Sequence, residues 1–324
     1  MKTILARLGF AAALAAGAAT AQAESWDMPT PYPAGNFHTQ NIISFTEDVR
    51  AATDGALEIK VHPAGSLIGH AEIKNAVRSG QAQIGEFLLS RLSNENPVFG
   101  VDNVPFLATS YEDARRLWEA SQEETESLLE RQNLTALFTV PWQPQGLYTN
   151  EAVEEISDLA GISFRAYNAA TEEFARLAGA VPTQVEVPNI PQAFATGRVD
   201  AMMTSSATGV NTSAWDFLSH FYNVRAWLPK NIVVINSDAF AALDEETRAA
   251  LLDAAKTAQE RGWAASKAKH ETQMSVLAEN GIEVGPPSEA LAEAMREIGA
   301  TMTEAWQQRA GSTGEAILEA YRAE

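Results

Sequence analysis

The sequence predicts an α/β protein built as two lobes, and three observations lead to this expectation. Patterns typical of strands and helices alternate along the chain from residue 24 to residue 204. The composition changes at Pro141-Trp-Gln-Pro-Gln-Gly146, which places a crossing between lobes near residue 142. A helical pattern without proline then runs from Glu245 to Gly281 and is long enough to span both lobes. A mature length of about 300 residues also allows one large α/β unit instead of two domains.

The first 23 residues have the three-part layout of a secretory signal peptide. Lys2 and Arg7 form a basic start, Leu8–Thr20 is an apolar run rich in alanine, and Ala21-Gln22-Ala23 is a small-x-small cleavage site. The apolar run is short for a transmembrane anchor. We therefore expect cleavage near Ala23 and a mature chain exported across the inner membrane.

Composition narrows the function classes. The chain has no cysteine, which excludes thiol catalysis and thiolate zinc sites. After residue 23 it carries 21 basic and 42 acidic residues. This charge argues against nucleic acid and against anionic lipid surfaces as partners. A small anionic ligand stays possible, because salt screens a diffuse surface charge over about 8 Å.

The elements of the first half follow from periodicity and stop signals. Ile42, Phe45 and Val49 share one helix face, and Thr53-Asp54-Gly55 ends that helix. Leu57–Val61 alternates with period two. The predicted strands are Ser25–Thr30, Leu57–Val61, Gln83–Leu89 and Leu134–Val140, and the predicted helices are Phe37–Thr53, His70–Ser79 and Tyr111–Gln132.

The second half repeats this plan and ends in helices. The predicted strands are Ile162–Tyr167, Thr183–Val187, Val199–Thr204 and Ile232–Ile235, and the predicted helices are Thr171–Ala178, Ile190–Thr196, Glu245–Gly281, Ser288–Ala310 and Glu315–Ala323. The β-branched run Ile232–Ile235 is expected to cross back to the first lobe. Residues 24–142 with 231–268 are thus expected to form lobe I, and residues 143–230 with 269–324 to form lobe II.

Arg165 is the leading candidate for a ligand contact. It lies at the carboxyl end of the predicted strand, just before a turn at Asn168 that leads into a helix. Ligand crevices of open α/β sheets form at such places, and a guanidinium there can bind a carboxylate through two parallel hydrogen bonds. The alternative is a structural arginine paired with a nearby glutamate.

Other chemistry receives little support from the motifs. The five histidines have no zinc-ligand spacing, and the sequence has no Gly-x-Ser-x-Gly elbow and no phosphate-binding glycine loop. A catalytic pair among the many carboxylates stays open. Thr204 and Ser205 offer hydroxyls at another strand end, or cap the next helix. Aromatic side chains near predicted loops and strand ends could form the walls of a cleft; they are Trp26, Phe37, Phe87, Trp142, Tyr148 and Tyr167.

Four ordered segments resemble the periplasmic substrate-binding subunits of tripartite ATP-independent periplasmic (TRAP) transporters, the DctP-like family. The segments are Phe45–Leu67, Ala76-Val77 to Gly80 and Ile84, Asp158–Arg165, and Gly179-Ala180-x-Pro182 followed by Ala193-x-x-Thr-Gly197-x-Val-Asp-Ala201. The resemblance spans nearly the whole chain. It implies a two-lobed periplasmic binding protein fold with hinge strands and a long spanning helix, which closes over a carboxylate held at the position of Arg165.

The resemblance also suggests the remaining contacts and the partners. Family members commonly use side chains at the positions of Thr204 and Ser205, and some add an arginine about twenty residues before the first, where this chain has Gln145 or Gly146. That departure favours a monocarboxylate with an apolar or aromatic body. The expected ligand-binding residues are Arg165, Trp142, Gln145, Tyr148, Tyr167, Asn168, Thr204 and Ser205, with Phe37, His38 and Phe87 contributed by the first lobe.

The expected function is capture of a small organic acid and its delivery to a membrane permease, without catalysis, cofactor or bound metal. Three alternatives stay open. One is a receptor of the same family that binds 2-oxoacids or hydroxy acids through a bridging metal. Another is a periplasmic hydrolase, and the third is a receptor for an ATP-driven importer.

Overall fold

A computed structural model describes residues 24–323, so the predicted signal peptide lies outside the described residues. The described chain contains strands of three to eight residues that form three sheets. The strands are β1 (Glu24–Pro29), β2 (Leu57–His62), β3 (Ile84–Leu88), β4 (Leu134–Pro141), β5 (Gly146–Thr149), β6 (Ser163–Ala166), β7 (Val181–Gln184), β8 (Ala201–Thr204), β9 (His220–Tyr222), β10 (Lys230–Asn236) and β11 (Glu283–Gly285).

Helices separate most of these strands, which confirms the predicted α/β class. They are α1 (Phe37–Ala52), α2 (Ile73–Arg78), α3 (Tyr111–Glu130), α4 (Ala169–Leu177), α5 (Ile190–Ala195), α6 (Ser206–Asn211), α7 (Ser237–Ala242), α8 (Glu245–Glu279) and α9 (Glu289–Ala323). The predicted helix His70–Ser79 is instead a 3₁₀ turn at His70–Glu72 followed by α2. None of these helices is both long enough and apolar enough to cross a lipid bilayer.

Two small sheets form the first part of the fold. β1 and β2 pair in parallel, while β10 lies between β3 and β4 and is antiparallel to both. β10 contains the β-branched run Ile232–Ile235, and its pairing with β3 and β4 confirms that this run crosses back to the first part of the fold. All seven β10 residues are buried, including the polar Lys230, Asn231 and Asn236 that flank the β-branched run.

A six-stranded sheet of order β11-β9-β5-β8-β6-β7 forms the second part. Parallel pairing of β6 with β7 and β8 brings the carboxyl ends of these strands to one edge of the sheet. The strand predicted at Thr183–Val187 is displaced, because Val181–Gln184 pairs with Ser163–Ala166. Residues 185–187 therefore leave the sheet, and Glu186 lies beyond its edge.

Helix α8 connects the two parts, in agreement with the long helix expected from the sequence. Asp244 caps its first turn by accepting a hydrogen bond from the Thr247 amide at 2.8 Å. Ala258 packs in the core around β4 and β10, whereas Leu277 packs in a core beside the six-stranded sheet. At Gly262 the helix approaches Val140 so closely that an added Cβ would overlap its side chain.

The C-terminal region agrees with the sequence expectation of two helices. Gly311 has a φ of 56° and a ψ of −143°, which is not helical, so α9 consists of two helical stretches that meet at a kink at this residue. Leu291 packs beneath the six-stranded sheet, whereas Ile317 and Leu318 pack with a core that includes residues of α3. The residue boundaries proposed for the two lobes stay a prediction.

Candidate functional site

A cavity lies between the two parts of the fold, at the carboxyl ends of β6 and β8. Tyr32, His70 and Arg91 reach it from the first part, and Arg165 and Thr204 reach it from the six-stranded sheet. This is the arrangement expected of a ligand cleft in an open α/β fold.

Arg165 is the most deeply buried cation of the cavity, with 1% of its surface exposed. Its Nε donates to the Val185 carbonyl oxygen at 2.9 Å, and its guanidinium carbon lies 4.9 Å from the centre of the Tyr167 ring. Burial lowers the pKa of the guanidinium to about 10, so the group is charged at neutral pH. Among the described residues, no side chain or backbone oxygen accepts a hydrogen bond from either Nη. One edge of Arg165 is therefore anchored, and both terminal nitrogens keep donors for a ligand.

The aromatic walls are held by hydrogen bonds on their polar ends. Asn231 Oδ1 accepts from the Tyr32 hydroxyl at 3.0 Å and from Trp142 Nε1 at 2.9 Å. The two rings meet edge to face, with their centres 4.9 Å apart. Because this shared acceptor fixes both rings, their apolar surfaces can face a ligand without further ordering.

The Asn231 amide is fixed in turn by the buried carboxyl of Glu86. Asn231 Nδ2 donates to Glu86 Oε1 at 2.8 Å, so Oδ1 of the same amide points to the two aromatic donors. Burial raises the pKa of Glu86 to about 7, against the opposing effect of hydrogen bonds from Thr30 and Asn231. A titrating carboxyl therefore supports the cavity wall without lining the cavity itself.

Gln145 and Tyr167 form a second fixed pair in the wall. The Tyr167 hydroxyl donates to Gln145 Oε1 at 3.2 Å and accepts from Trp227 Nε1 at 2.9 Å. Gln145 Nε2 donates to the Gln143 carbonyl oxygen at 2.8 Å. The Gln145 amide is therefore already bonded on both sides.

A polar cluster that the sequence did not reveal lies on the other side of the cavity. Glu186 Oε1 pairs with Arg91 Nη1 at 2.9 Å, and Glu186 Oε2 accepts from His70 Nδ1 at 3.1 Å. His70 Nε2 accepts a hydrogen bond from the Leu88 amide at 3.1 Å, so this nitrogen carries no proton and the ring is neutral. Burial lowers the pKa of His70 in agreement with this state, against the opposing effect of Glu186.

Glu186 is ionised in this cluster. Burial by itself would raise the pKa of its carboxyl, but the interactions with His70 and the charges of Arg91 and Arg165 outweigh burial and hold the pKa at about 2. Arg91 Nη1 also donates to the Tyr167 carbonyl oxygen at 3.1 Å. The cluster therefore ties the segment after β7 and the end of β6 to the first part of the fold.

Five of the predicted ligand-binding residues line the cavity. They are Trp142, Gln145, Arg165, Tyr167 and Thr204. Within the described chain no hydrogen bond involves the Thr204 side chain, so its hydroxyl can serve a ligand.

The other predicted side chains do not line the cavity. Ser205 and Asn168 cap helices, as the alternative for Ser205 anticipated: their side chains accept from the amides of Thr208 and Thr171. The buried Tyr148 hydroxyl donates to the Ser205 carbonyl oxygen at 3.2 Å, which directs it into the core.

Three first-lobe candidates also lie outside the cavity wall. Phe37 and His38 pack against the Trp142 ring at centre distances of 5.6 and 4.3 Å. They therefore support a residue of the cavity wall without lining the cavity themselves. Phe87 belongs to a core formed with residues of α2 and β10. Successive side chains of a strand point to opposite faces, so Phe87 points away from the face of β3 that carries Glu86 and into this core.

Neither His70 nor Glu186 is part of a group of three or more potential metal ligands; none occurs in residues 24–323. The cavity instead offers a buried cationic fork, aromatic walls and a hydroxyl. These features suit reversible binding of a small anion.

Comparisons with known proteins show the family and the fold. Residues 31–310 match the family described as bacterial extracellular solute-binding protein, family 7, or DctP. The DctP7 extracytoplasmic solute receptor of Bordetella pertussis, which binds pyroglutamic acid, is 45% identical; the match covers 93% of this chain and 100% of DctP7, with a TM-score of 0.91. A marine metagenome TRAP solute-binding protein specific for pyroglutamate is 42% identical, with 94% and 100% covered and a TM-score of 0.92.

A more distant match concerns a curated solute-binding protein of Albidiferax ferrireducens. The two chains are 25% identical over 180 residues, which make up 55% of this chain and 53% of that protein. The match thus spans about half the length of this relative.

Proposed function

Because the chain belongs to family 7 of the bacterial extracellular solute-binding proteins, we propose that it is a receptor for a compact monocarboxylate, with pyroglutamate as the leading candidate. The observation that carries the proposal is the buried Arg165 fork, whose two Nη groups have no hydrogen-bond acceptor among the described residues. A carboxylate is the planar anion that pairs with such a fork through two hydrogen bonds.

The neutral part of the ligand packs against the aromatic walls. Pyroglutamate carries one carboxylate on a small five-membered lactam ring. Tyr32, Trp142 and Tyr167 contribute apolar surface, and the Thr204 hydroxyl can bond a lactam group. The two relatives that bind pyroglutamate, at 42% and 45% identity, support this choice of ligand.

Binding stabilises a closed arrangement of two lobes, formed by residues 24–142 with 231–268 and by residues 143–230 with 269–324. Residues of both lobes line the cavity, so only the closed arrangement makes all the contacts with the ligand. Closure also removes water from around Arg165, which strengthens the ion pair.

Export and delivery complete the proposed role. The signal peptide is removed near Ala23, and the mature receptor presents its ligand to the membrane subunits of a TRAP permease. The chain carries out no chemistry on the ligand, consistent with the receptors of its family. The mass of the protein recovered from the periplasm tests the cleavage site.

Isothermal titration calorimetry with purified mature protein and L-pyroglutamate tests the proposal. We expect one ligand per chain, and the ligand recovered afterwards should be chemically unchanged. At 100 times the dissociation constant, the ligand should add about 2.7 kcal/mol of stability in a thermal unfolding assay. No binding of pyroglutamate or of any other monocarboxylate in a small library would contradict the proposal.

The same experiment separates the alternatives. Appearance of ring-opened product would favour a hydrolase. Loss of binding after treatment with a chelator, and its recovery with added divalent metal, would favour a metal-bridged ligand.

A further inference from the structure

We propose that Glu186 is a specificity determinant that restricts the cavity to ligands with a single carboxylate. The inference rests on the proposed function, because it concerns the choice among carboxylates at the Arg165 site. It follows from the balance of charges that line the cavity and from the way in which each charge is already paired.

The cavity lining carries one net positive charge. Arg91 and Arg165 are cationic, Glu186 is anionic, and the hydrogen bond from the Leu88 amide keeps His70 neutral. Every other lining residue is uncharged. A single ligand carboxylate therefore neutralises the cavity, whereas a second carboxylate leaves it with a net negative charge.

The positive charge that remains in the cavity belongs to Arg165, because Glu186 pairs with Arg91. Glu186 engages Arg91 through Oε1 at 2.9 Å, and Arg91 is further committed to the Tyr167 carbonyl oxygen. The charge of Arg91 is therefore already compensated by Glu186, whereas Arg165 has no carboxylate within ion-pair distance in the described chain. A second ligand carboxylate near Glu186 would meet an already neutralised ion pair rather than an unpaired cation.

The charge of Glu186 is permanent under physiological conditions, because its pKa is held at about 2. Its side chain is 37% exposed, so solvent weakens the repulsion it exerts. Allowing for that screening, we expect the parent protein to prefer a monocarboxylate over a dicarboxylate of matched shape by about tenfold or more.

Two variants that break the same ion pair give the sharpest test. Glu186→Gln adds one net positive charge to the cavity, and Arg91→Gln removes one. Calorimetry compares cyclopentanecarboxylate with cis-cyclopentane-1,3-dicarboxylate, which share a five-membered ring and differ by one carboxylate. Pyroglutamate serves as the reference ligand.

Charge selection predicts opposite shifts in the two variants. In Glu186→Gln the affinity ratio of dicarboxylate to monocarboxylate should rise about tenfold, and in Arg91→Gln it should fall. A purely structural role of the ion pair would change both variants in the same direction. An unchanged ratio in Glu186→Gln, or equal affinity of the parent protein for the two ring acids, would overturn the inference.

The outcomes also separate this inference from the proposed function. A parent protein that binds no monocarboxylate contradicts the proposed function itself. A parent protein that binds pyroglutamate through Arg165 but does not discriminate against the diacid contradicts only the role of Glu186. Equal affinities of the parent protein for the two ring acids would contradict the inference even if a variant fails to fold.

Discussion

Replacement of Arg165 by methionine should separate ligand binding from folding. Methionine is unbranched and fills irregular gaps, but it has no charge and no donor. Removal of the buried cation that pairs with a ligand carboxylate weakens the binding free energy by about 2–5 kcal/mol. This raises the dissociation constant roughly thirty- to several-thousand-fold. We expect the upper part of this range, since Arg165 is 1% exposed and Arg91 is already paired with Glu186.

Although Arg165→Met should weaken ligand binding, it should not lower the stability of the ligand-free protein. Burial lowers the pKa of Arg165 to about 10, so holding the ionised form costs on the order of 3 kcal/mol relative to water. Because the folded-state pKa is below that of the unfolded chain, this cost is present at neutral pH. Methionine removes the cost together with one hydrogen bond to Val185, which contributes about 1 kcal/mol. The variant should therefore unfold at the same temperature as the parent, or at a higher one.

Calorimetry with pyroglutamate and thermal unfolding without ligand measure the two effects. Arg50→Met, an exposed substitution on α1 outside the cavity, is the matched control and should change neither quantity. Affinity that survives in Arg165→Met would refute the role of the fork. A large fall in unfolding temperature would show that Arg165 is a structural residue instead.

Three further substitutions test the surroundings of the cavity. Thr204→Val should weaken pyroglutamate binding by about 0.5–1.5 kcal/mol through loss of one hydrogen bond, as measured by calorimetry, and unchanged affinity would exclude a contact by the hydroxyl. Because the pKa of Glu86 is raised to about 7, the folded parent binds more protons than its unfolded chain between about pH 4.5 and 7, and the parent loses stability as the pH rises through this range. Glu86→Gln has no such proton to lose, so its stability relative to the parent should increase over the same range by up to ~3 kcal/mol. Parallel urea denaturation of both proteins across this pH range measures the gain, and a constant difference would contradict it. Gly262→Ala should lower the free energy of unfolding by about 1–3 kcal/mol, because its methyl group would overlap Val140, and unchanged stability in urea would show that α8 can move away.

The sequence predicted those features that depend on neighbouring residues. Arg165 lies at a strand-to-helix junction. This junction is recognisable from consecutive residues, because the strand β6, the cap Asn168 and the amphipathic helix α4 follow one another directly in the sequence. The long helix α8 was also predictable, because its pattern continues without proline from Glu245 to the residues before Gly281.

Features that depend on distant residues were not predictable in the same way. His70, Arg91 and Glu186 come from three separate segments, and only the folded chain brings them together. Glu186 was one of many acidic residues and was placed inside a predicted strand, whereas pairing with β6 ends β7 at Gln184. Tyr148 was predicted as a ligand contact, but it lies in β5, a strand that was not recognised from the sequence, and its hydroxyl is bonded within the core.

Short strands were missed for a related reason. β5, β9 and β11 have only three or four residues each, too few for a period-two pattern to be recognised. Their pairing depends on partners far along the chain, such as Tyr148 opposite Met202 and Phe221. Gly146 shows the same dependence, because a side chain there would overlap Phe221.

A crystal structure of the mature protein with bound pyroglutamate tests the central claim most directly. We expect the two carboxylate oxygens to lie about 3 Å from the two Nη atoms of Arg165, with the lactam ring against Trp142 and Tyr167. A ligand whose carboxylate is bound elsewhere, with Arg165 still bonded only to Val185, would contradict the account.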